Sequence, residues 1–344
     1  MWYKRNKSKG VWWKEWLRSL LLAMLFLLIF RNFFFTLYMV RSDSMNTSVE
    51  PGDWITVNLL AYGPRIPSTP VCVPFTPWYL KSAELPVMRI PGYRTPKRND
   101  VMVFNYPGDT DDAIERKEVY IKRLIGLPGD TVAVFEDKVY IDSRVHREVK
   151  TVWYDWIVKT KAPKELAKWI KSKGKKTHEL VPGEWLVRLS EAEKNVLQKK
   201  KFVTEIVFPE YLDDAMLETL FTGKLKGYDI LHFAKTCVPY EGLKIKLTPL
   251  NIQLYGHCII NEGFSLQFDE KKCLIDNEVA TEYVFNEDHY FVLGDSRSSS
   301  VDSRYWGFVP HSHILGRASF VFFSFGNNQN NGGINWSRCL KNIY

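Results

Sequence analysis

The sequence predicts a mainly β protein with one N-terminal transmembrane helix and an inserted α+β accessory domain. Three observations lead to this fold class. The single long apolar run follows a basic N-terminal segment, as in a membrane anchor. Short runs of strand character, separated by turn residues, fill residues 52–143 and 282–325. Between them, residues 144–281 contain lysine-rich and helix-like stretches of a different character.

The composition limits the classes of function. The 344 residues exceed one average domain, and a hydrophobic content of 45% supplies enough apolar side chains for a sizeable core. The aromatic content of 15% is high and is typical of β-structure and membrane interfaces. Much of the net charge of +8 comes from the basic N-terminal segment, so membrane topology explains it. We therefore expect membrane lipid as a partner and no nucleic acid.

The first predicted element is a transmembrane anchor at residues 16–37, preceded by a basic cytoplasmic segment at 1–15. A spanning helix needs ~20 apolar residues, and this run supplies them only if Arg31 extends its charge to the far interface. A cleaved signal peptide has the same basic start and apolar core. No small-x-small cut site follows the run, which favours an uncleaved anchor. The positive-inside rule then places the N-terminus in the cytoplasm and everything after Val40 outside.

The predicted catalytic β-domain comes in two parts, at 38–143 and 282–344. In the first part, turns at Gly52 and Asn99 each lead into a strand, and residues 118–125 alternate as a half-buried strand. Two strand-like runs on either side of Glu136 predict a hairpin over 131–141. Prolines at 64–77 exclude helix and central strand there, and the aromatic residues among them contact either the membrane or their own domain.

Residues 144–281 form the predicted accessory domain. Eight lysines between 159 and 176 are interpreted as a solvated face rather than a binding site. Helices are predicted at 163–170, after a capping box at Ser190, and at 211–221. Strands are predicted at 244–247 and 258–260. In the second part of the β-domain, a strand at 290–293 leads into a polar loop tied by its own Asp–Arg ion pairs, and residues 314–325 predict a strand pair.

The five cysteines contain no C-x-x-C pair, and no ligand set has the spacing of a zinc site. We expect no metal and no other cofactor. Outside the cytoplasm one disulfide is plausible, and the alternatives are Cys258 with Cys273 or Cys237 with Cys258.

Ser44 follows the anchor within a few residues and is either a polar exit from the membrane or a nucleophile at its surface. A serine hydroxyl needs a base, and histidine is the usual one. His289 lies closest in sequence to Asp295, but its surroundings predict a turn and a solvated side chain. Lys122 is the other candidate, on an apolar strand. It is either exposed on the strand face or buried, and burial lowers the pKa of a lysine. To act as a base near neutral pH, its pKa has to fall by about 3 from the reference of ~10.4.

Four segments, in order, resemble the type I signal peptidases, a family of membrane-anchored serine proteases with a Ser–Lys dyad. The resemblance covers roughly 30–143 and 282–325 and includes these stretches: SDSM at 42–45 followed by GD at 52–53, NDVMVF at 99–104, YIKRLIGLPGD at 120–130, and GDSR at 294–297 continuing to SVDSRYWGFVP at 300–310. YGPRIP at 62–67 is also similar to the family.

The resemblance implies a role for each matched residue. Ser44 would attack the scissile carbonyl and Lys122 would be the general base that later protonates the leaving amine. The Ser42 hydroxyl and the Ser44 backbone N–H would form the oxyanion hole. Ser300 would hydrogen-bond and orient the Lys122 amine. Four charged residues would brace that loop: Asp302 and Arg304, with Asp295 and Arg297 in support.

In the family the substrate peptide is added as a strand beside two enzyme segments, here near 38–42 and 119–122. Shallow pockets for small side chains, one and three residues before the cut, would be lined by Tyr38, Val40, Met45, Tyr120 and Val292. Three positions depart from the family. Thr47 stands where proline is usual, Asp43 where a small residue is usual, and Ser296 where asparagine is usual. A carboxylate at Asp43 would oppose a developing oxyanion unless it faces away.

The function implied is removal of N-terminal signal peptides from exported preproteins by a single-pass enzyme of the cytoplasmic (inner) membrane, with its catalytic domain on the extracytoplasmic side. One alternative is an inactive membrane-anchored scaffold or binding protein with the same fold. Another is a processing peptidase with a narrow substrate range, which the large insertion would suit.

Overall fold

The computed structural model describes residues 9–70, 78–108, 112–135, 138–175, 177–209, 232–269, 272–325 and 333–344. The helix predicted at 211–221, the turn residue Glu136, Cys72 and the middle of the proline-rich segment lie outside these residues.

The strands in chain order are β1 (Phe35–Met39), β2 (Asp53–Asn58), β3 (Arg65–Ile66), β4 (Met88–Arg89), β5 (Val101–Asn105), β6 (Val119–Gly126), β7 (Thr131–Phe135), β8 (Lys138–Ile141), β9 (Arg144–Val145), β10 (Tyr154–Thr160), β11 (Thr177–Val181), β12 (Glu184–Leu189), β13 (Val203–Val207), β14 (His232–Cys237), β15 (Lys244–Lys246), β16 (Leu266–Asp269), β17 (Lys272–Ile275), β18 (Glu278–Val279), β19 (Glu282–Val284), β20 (His289–Leu293), β21 (Val309–Pro310) and β22 (Ile314–Ser324). The helices in chain order are α1 (Lys9–Phe33), α2 (Pro163–Ser172), α3 (Glu191–Gln198), α4 (Pro249–Asn261) and α5 (Ser303–Trp306).

Helix α1 is the candidate membrane span. Residues Trp12–Phe33 are long and apolar enough to cross a bilayer, and no residue of this apolar window is buried in the rest of the chain. The predicted anchor end at Leu37 is wrong, because the helix stops at Phe33 and the chain continues as β1. The backbone of β1 is hydrogen-bonded to β2, with Phe35 opposite Asn58, so it has no need of helical partners.

In the part of the chain that the structure describes, the main sheet has seven strands in the order β1-β2-β22-β5-β6-β20-β21, with antiparallel pairing throughout. The strand pair predicted at 314–325 is wrong. These residues form the single 11-residue strand β22, which pairs with β2 on one side and β5 on the other. One strand can pair with both partners because β2 and β5 lie along its two opposite edges.

The main sheet is buried on both faces around β5. Val101 and Val103 pack into one core, while the alternate residues Met102 and Phe104 pack into another. Strand β6 therefore becomes fully buried from Lys122 onward, and the prediction of a half-buried strand is wrong for its second half. A continuous buried run is what a strand covered on both sides shows.

The predicted accessory domain divides between two cores. Sheet β11-β12-β10-β13 and helices α2 and α3 enclose a core of their own, which includes Trp156, Leu166 and Leu197. Residues from 232 onward instead join the β-domain. Strand β14 pairs with β7, and Phe233 packs with Phe291 of β20. The hairpin β7–β8, helix α2 and the capping box of α3 are confirmed.

The strand predicted at 258–260 is wrong, since these residues lie in α4. Thr248 caps this helix by accepting the Asn251 N–H at 3.3 Å, and Pro249 occupies its first turn. Cys258 and Ile259 then face the core at helical spacing from Tyr255. Cys237, Cys258, Cys273 and Cys339 all carry free thiols, so neither predicted disulfide is formed.

Candidate active site

Ser44 lies in a short 3-10 turn, Asp43–Met45, that follows the edge strand β1. Its side chain is 7% exposed, and Met45 anchors the turn by packing into the core below. The Ser44 carbonyl accepts a hydrogen bond of 3.0 Å from the Ser296 N–H, and the Ser296 hydroxyl donates to the Asp43 carbonyl at 2.6 Å. The Asp43 side chain is exposed, so its carboxylate points into solvent.

Lys122 is the first residue of the buried stretch of β6, and its side chain reaches Ser44. Its Nζ donates a hydrogen bond of 2.6 Å to Ser44 Oγ, and its side chain is 3% exposed. Alternation along β6 places it on the same face as Tyr120 and Leu124, both in an apolar cluster. Burial lowers the pKa of Lys122 to about 8. A neutral amine next to a serine hydroxyl can remove the hydroxyl proton.

Ser42 stands two residues before Ser44, and the two Oγ atoms lie 3.1 Å apart. Ser42 itself is exposed at the mouth of the site. A hydroxyl in this place can donate to negative charge that develops beside the Ser44 oxygen. The predicted neighbours Ser42, Ser44 and Lys122 are therefore brought together by the structure.

The loop after β20 is braced by a buried charge pair. Asp302 accepts hydrogen bonds from Arg304 Nε at 2.8 Å and from the Gly294 N–H at 2.9 Å. Arg304 Nη2 in turn donates to the Arg297 carbonyl at 2.6 Å. Burial alone would raise the pKa of Asp302, but the Arg304 charge and hydrogen bonds hold this pKa below its ordinary value. The predicted Asp302–Arg304 pair is present.

The predicted ion pairing of the other two charges is wrong. Asp295 does not pair within its own loop but with Arg123 on β6, at 2.6 Å, and both side chains are completely buried. Arg297 pairs with Glu148 from the insertion. Asp295 and Arg297 are separated by Ser296, and each pairs with a residue outside the loop. Ser48 also donates to Asp295, at 2.5 Å, so this pair holds the nucleophile turn as well.

Ser300 does not make the predicted hydrogen bond to Lys122. Its side chain is 3% exposed, and its Oγ has no hydrogen-bond partner among the described residues. The Lys122 amine is turned toward Ser44 instead. The Ser300 hydroxyl fits against Gly294, where an added Cβ would lie 2.1 Å from Oγ. Gly294 thus gives Ser300 its place beside the dyad.

The predicted substrate contacts fall into two groups. Tyr38, Val40 and Met45 pack with one core of the main sheet, and Tyr120 and Val292 pack with the other. Val40, Met45 and Val292 are buried, at 4%, 1% and 0% exposure, and do not present open pocket walls in this structure. Side-chain packing on both faces of the sheet covers them. Tyr38 and Tyr120 are half-buried and open to solvent.

His289 is not solvated, contrary to the sequence-based expectation. It begins β20, is completely buried, and its Nδ1 lies 3.0 Å from the Glu287 carbonyl oxygen. Burial lowers its pKa to about 4. In the structure Ser44 Oγ has hydrogen-bond contacts with Lys122 and Ser42, and within the described residues no histidine shares them.

Three residues of the insertion contact the site and were missed by the sequence reasoning. Thr151 Oγ1 donates to Asp295 at 2.8 Å, Glu148 pairs with Arg297, and Trp153 hydrogen-bonds to the nucleophile turn. They lie 104 or more residues from Ser44 in sequence, counted from 44 to 148. No local pattern marks such residues, because only the tertiary fold brings them close.

A serine hydroxyl hydrogen-bonded to a buried lysine amine, on a β-domain that continues directly from a candidate membrane-spanning helix, is the arrangement expected of a membrane-attached serine peptidase. Comparison with known sequences identifies the family. The profile described as "Signal peptidase, peptidase S26" matches residues 13–197 and 259–323. The chain belongs to this family, and it is a membrane-associated serine peptidase that cleaves signal peptides from preproteins.

Individual relatives agree with this assignment. A signal peptidase I of Buchnera aphidicola subsp. Acyrthosiphon pisum is 24% identical over 333 residues, covering 95% of this chain and 80% of the relative. A signal peptidase I of Aquifex aeolicus is 23% identical over 313 residues, covering 89% and 82%. One from Pseudomonas aeruginosa is 33% identical over 135 residues, covering 39% of each chain.

Proposed function

We propose that the chain cleaves preproteins with Ser44 as the nucleophile and neutral Lys122 as the general base. The observation that carries this is the hydrogen bond of 2.6 Å between Lys122 Nζ and Ser44 Oγ, both shielded from solvent. The amine takes the hydroxyl proton as Ser44 attacks the scissile carbonyl, and returns it to the leaving amine. Water, deprotonated by the same amine, then releases the acyl group.

The Ser42 hydroxyl and the Ser44 N–H are the proposed donors to the oxyanion. Removal of one such donor costs roughly 10²–10³ in kcat in other serine peptidases. Ser300 is proposed to support Lys122 in the complex with substrate, where its unpartnered hydroxyl can turn toward the amine. Asp302 with Arg304, and Asp295 with Arg123, hold the loops that carry these groups.

The substrate is proposed to bind as an added strand between β1 and the first half of β6. Strand β1 is the edge of the main sheet as the described residues form it. Residues 119–122 of β6 pair with β5 on one side, whereas β20 pairs only with residues 123–126. Backbone groups at these two edges can hydrogen-bond a peptide. Small side chains one and three residues before the cut are proposed to lie beside Tyr38 and Tyr120, which are half-buried.

The catalytic domain is proposed to rest on the extracytoplasmic face of the inner membrane. The sheet carries exposed apolar side chains in register at the end of β1 that lies away from α1, since Met39 of β1 and Phe323 of β22 both lie beside Trp54 of β2. Met39 is 42% exposed and Phe323 is 39% exposed. Exposed apolar side chains of this kind are favourable in the lipid interface. The basic residues before the helix place its N-terminus in the cytoplasm.

The experiment is cleavage of a purified preprotein by the full chain in detergent. Ser44→Ala and Lys122→Ala should each lower kcat by more than about 10³-fold. Lys138→Ala, which removes an exposed lysine from a neighbouring hairpin, should keep full activity. Activity of Lys122→Ala within about tenfold of the parent would refute the lysine base.

A further inference from the structure

One short segment of the insertion, residues 151–153 just before β10, contacts both catalytic loops. The first loop is the nucleophile turn at 43–48, and the second is the loop at 294–300. Thr151 touches both, since its Oγ1 donates to Asp295 at 2.8 Å while its carbonyl accepts from Thr47 Oγ1 at 2.5 Å. The entry to the inserted sheet is thus part of the wall of the active site.

The backbone of Trp153 is paired with the second loop. Its N–H donates to the Asp295 carbonyl at 3.0 Å, and its carbonyl accepts from the Arg297 N–H at 3.1 Å. Ser296, between these two, donates its own N–H to the Ser44 carbonyl at 3.0 Å. Trp153 and Ser44 are therefore linked through the backbone of the second loop, which is hydrogen-bonded to both of them.

The side chain of Trp153 reaches the nucleophile turn directly. Its indole Nε1 donates a hydrogen bond of 3.0 Å to the Asn46 carbonyl, two residues after Ser44. The ring is 2% exposed and is covered by the Arg188 guanidinium, 3.6 Å above it. Arg188 is itself held by Asp155 at 3.1 Å, so the indole has little freedom to turn.

The nucleophile turn depends on such outside support because of its backbone. Thr47 has φ = 93°, a left-handed value that a β-branched residue adopts only at a cost. Proline, fixed near φ ≈ −65°, cannot take this conformation. The turn is kept in place by the hydrogen bonds that Thr47 and Asn46 make to Thr151 and Trp153.

We propose that Trp153 is a positioning residue, through which the inserted domain holds Ser44 in line with Lys122. This inference rests on the roles proposed above for Ser44 and Lys122. It gives the insertion a direct part in the reaction rate, without contact to the substrate. A small displacement of the nucleophile is enough to matter, because a 1 Å misplacement can cost about 10²-fold in rate.

The test compares Trp153→Phe with Trp156→Phe in the full-length enzyme acting on a preprotein. Trp156 is a matched control: it is 3% exposed, lies on the same strand run, and its indole N–H has no hydrogen-bond partner among the described residues. Both variants keep an aromatic ring and lose one N–H. Trp153→Phe should lower kcat by about 10- to 100-fold with KM changed less than about twofold, and Trp156→Phe should leave both unchanged.

The pH profile and the melting temperature separate positioning from loss of structure. In Trp153→Phe the inflection of kcat/KM should stay at the parent pH while its plateau falls, and the melting temperature should match that of Trp156→Phe. Equal kcat in the two variants, or a loss explained by a lower melting temperature alone, overturns the proposal. Thr47→Val, which replaces the hydroxyl bonded to Thr151 with a methyl group, should also lower kcat. This variant tests the proposal if Trp153→Phe does not fold. Ser44→Ala in parallel reports separately on the proposed nucleophile.

Discussion

At the scale of the residue, burial and a single hydrogen-bond partner act together on Lys122, the proposed general base. Solvent exclusion lowers the pKa of the amine, and Ser44 Oγ is its one hydrogen-bond partner among the described residues. The nearest acids pair with arginines instead, Asp302 with Arg304 and Asp295 with Arg123. Without those arginines, two buried carboxylates would favour the charged form of Lys122 and weaken it as a base.

The dependence of activity on pH follows from the Lys122 pKa. The free enzyme should gain kcat/KM as pH rises through about 8, because the neutral amine is the active form and burial lowers its pKa to that value. The measurement is kcat/KM on a preprotein from pH 6 to pH 10. An inflection near the ordinary lysine value of ~10.4, or near the histidine value of ~6.5, would contradict the assignment.

Lys122→Met should inactivate the enzyme and also stabilise it. Below pH 8 the parent buries a charged amine that methionine replaces with an apolar chain of similar length. The gain should be about 1–3 kcal/mol at pH 7. It should shrink as pH rises from about 8 toward ~10.5, where the amine becomes neutral in the unfolded chain as well. Thermal unfolding of both proteins at several pH values measures this difference, and a gain that is independent of pH would show that charge burial is not its source.

At the scale of the element, β6 and the loop after β20 define the site because each is fixed on more than one side. Strand β6 pairs with β5 at Lys122 and with β20 from Arg123 onward, so the strand that carries Lys122 is held in the sheet. The loop is hydrogen-bonded to the nucleophile turn and to the inserted segment before β10. By contrast, helices α2 and α3 pack in the separate core of the inserted sheet and contribute to its stability.

Ser190→Ala should loosen helix α3 and leave catalysis unchanged. Ser190 accepts the Glu193 N–H at 3.4 Å, and the Glu193 carboxylate accepts the Ser190 N–H at 2.9 Å, so the substitution removes half of a capping box. The expected cost is about 0.5–2 kcal/mol. Hydrogen exchange over residues 191–198 should quicken while preprotein cleavage stays at the parent rate. Ser172→Ala, at an exposed helix end, is the control, and a loss of activity in Ser190→Ala alone would tie α3 to the site.

At the scale of the whole molecule, the chain is a buried β-sheet with a membrane helix at one edge and an inserted domain at the active-site loops. Helix α1 exposes its apolar side chains, and its end leads directly into β1. We expect it to attach the protein to the membrane rather than to stabilise the sheet. The inserted core of β10–β13 is separate, yet its first residues touch Ser44's turn.

Two truncated chains should distinguish the residues needed for membrane attachment from those needed for a stable sheet. A chain of residues 34–344 should keep the unfolding temperature of the parent, because it retains β1, and should float less with lipid vesicles. A chain of residues 41–344 lacks β1 and should unfold at lower temperature, since the hydrogen bonds between β1 and β2 are lost. Circular dichroism melts and vesicle flotation measure both effects. Equal melting of the two truncated chains would show that β1 is not needed for the sheet.

By itself, the sequence determined the elements whose signals are local. The apolar run gave the membrane helix, the alternation around Lys122 gave β6, and Ser190 with Glu193 gave the start of α3. The motifs also placed Ser44, Lys122 and the Asp302–Arg304 pair at one site, because their order and spacing resemble a family in which they act together. The predicted length of the anchor is wrong because Phe35–Met39 is as apolar as a membrane segment, and only its pairing with β2 makes it a strand.

Only the tertiary structure decided the contacts between distant segments. Burial of Lys122 depends on what covers each face of the sheet, and no local pattern records that. The apolar residues 258–260 suit a buried strand and a buried helix equally well. The cap at Thr248 and packing against Phe308 select the helix. Asp295 pairs with Arg123, and Trp153 hydrogen-bonds to Asn46, although the partners lie too far apart in sequence for any spacing rule to predict the contact. Hydrogen bonds and ion pairs act over a few ångströms in space, whatever the distance along the chain.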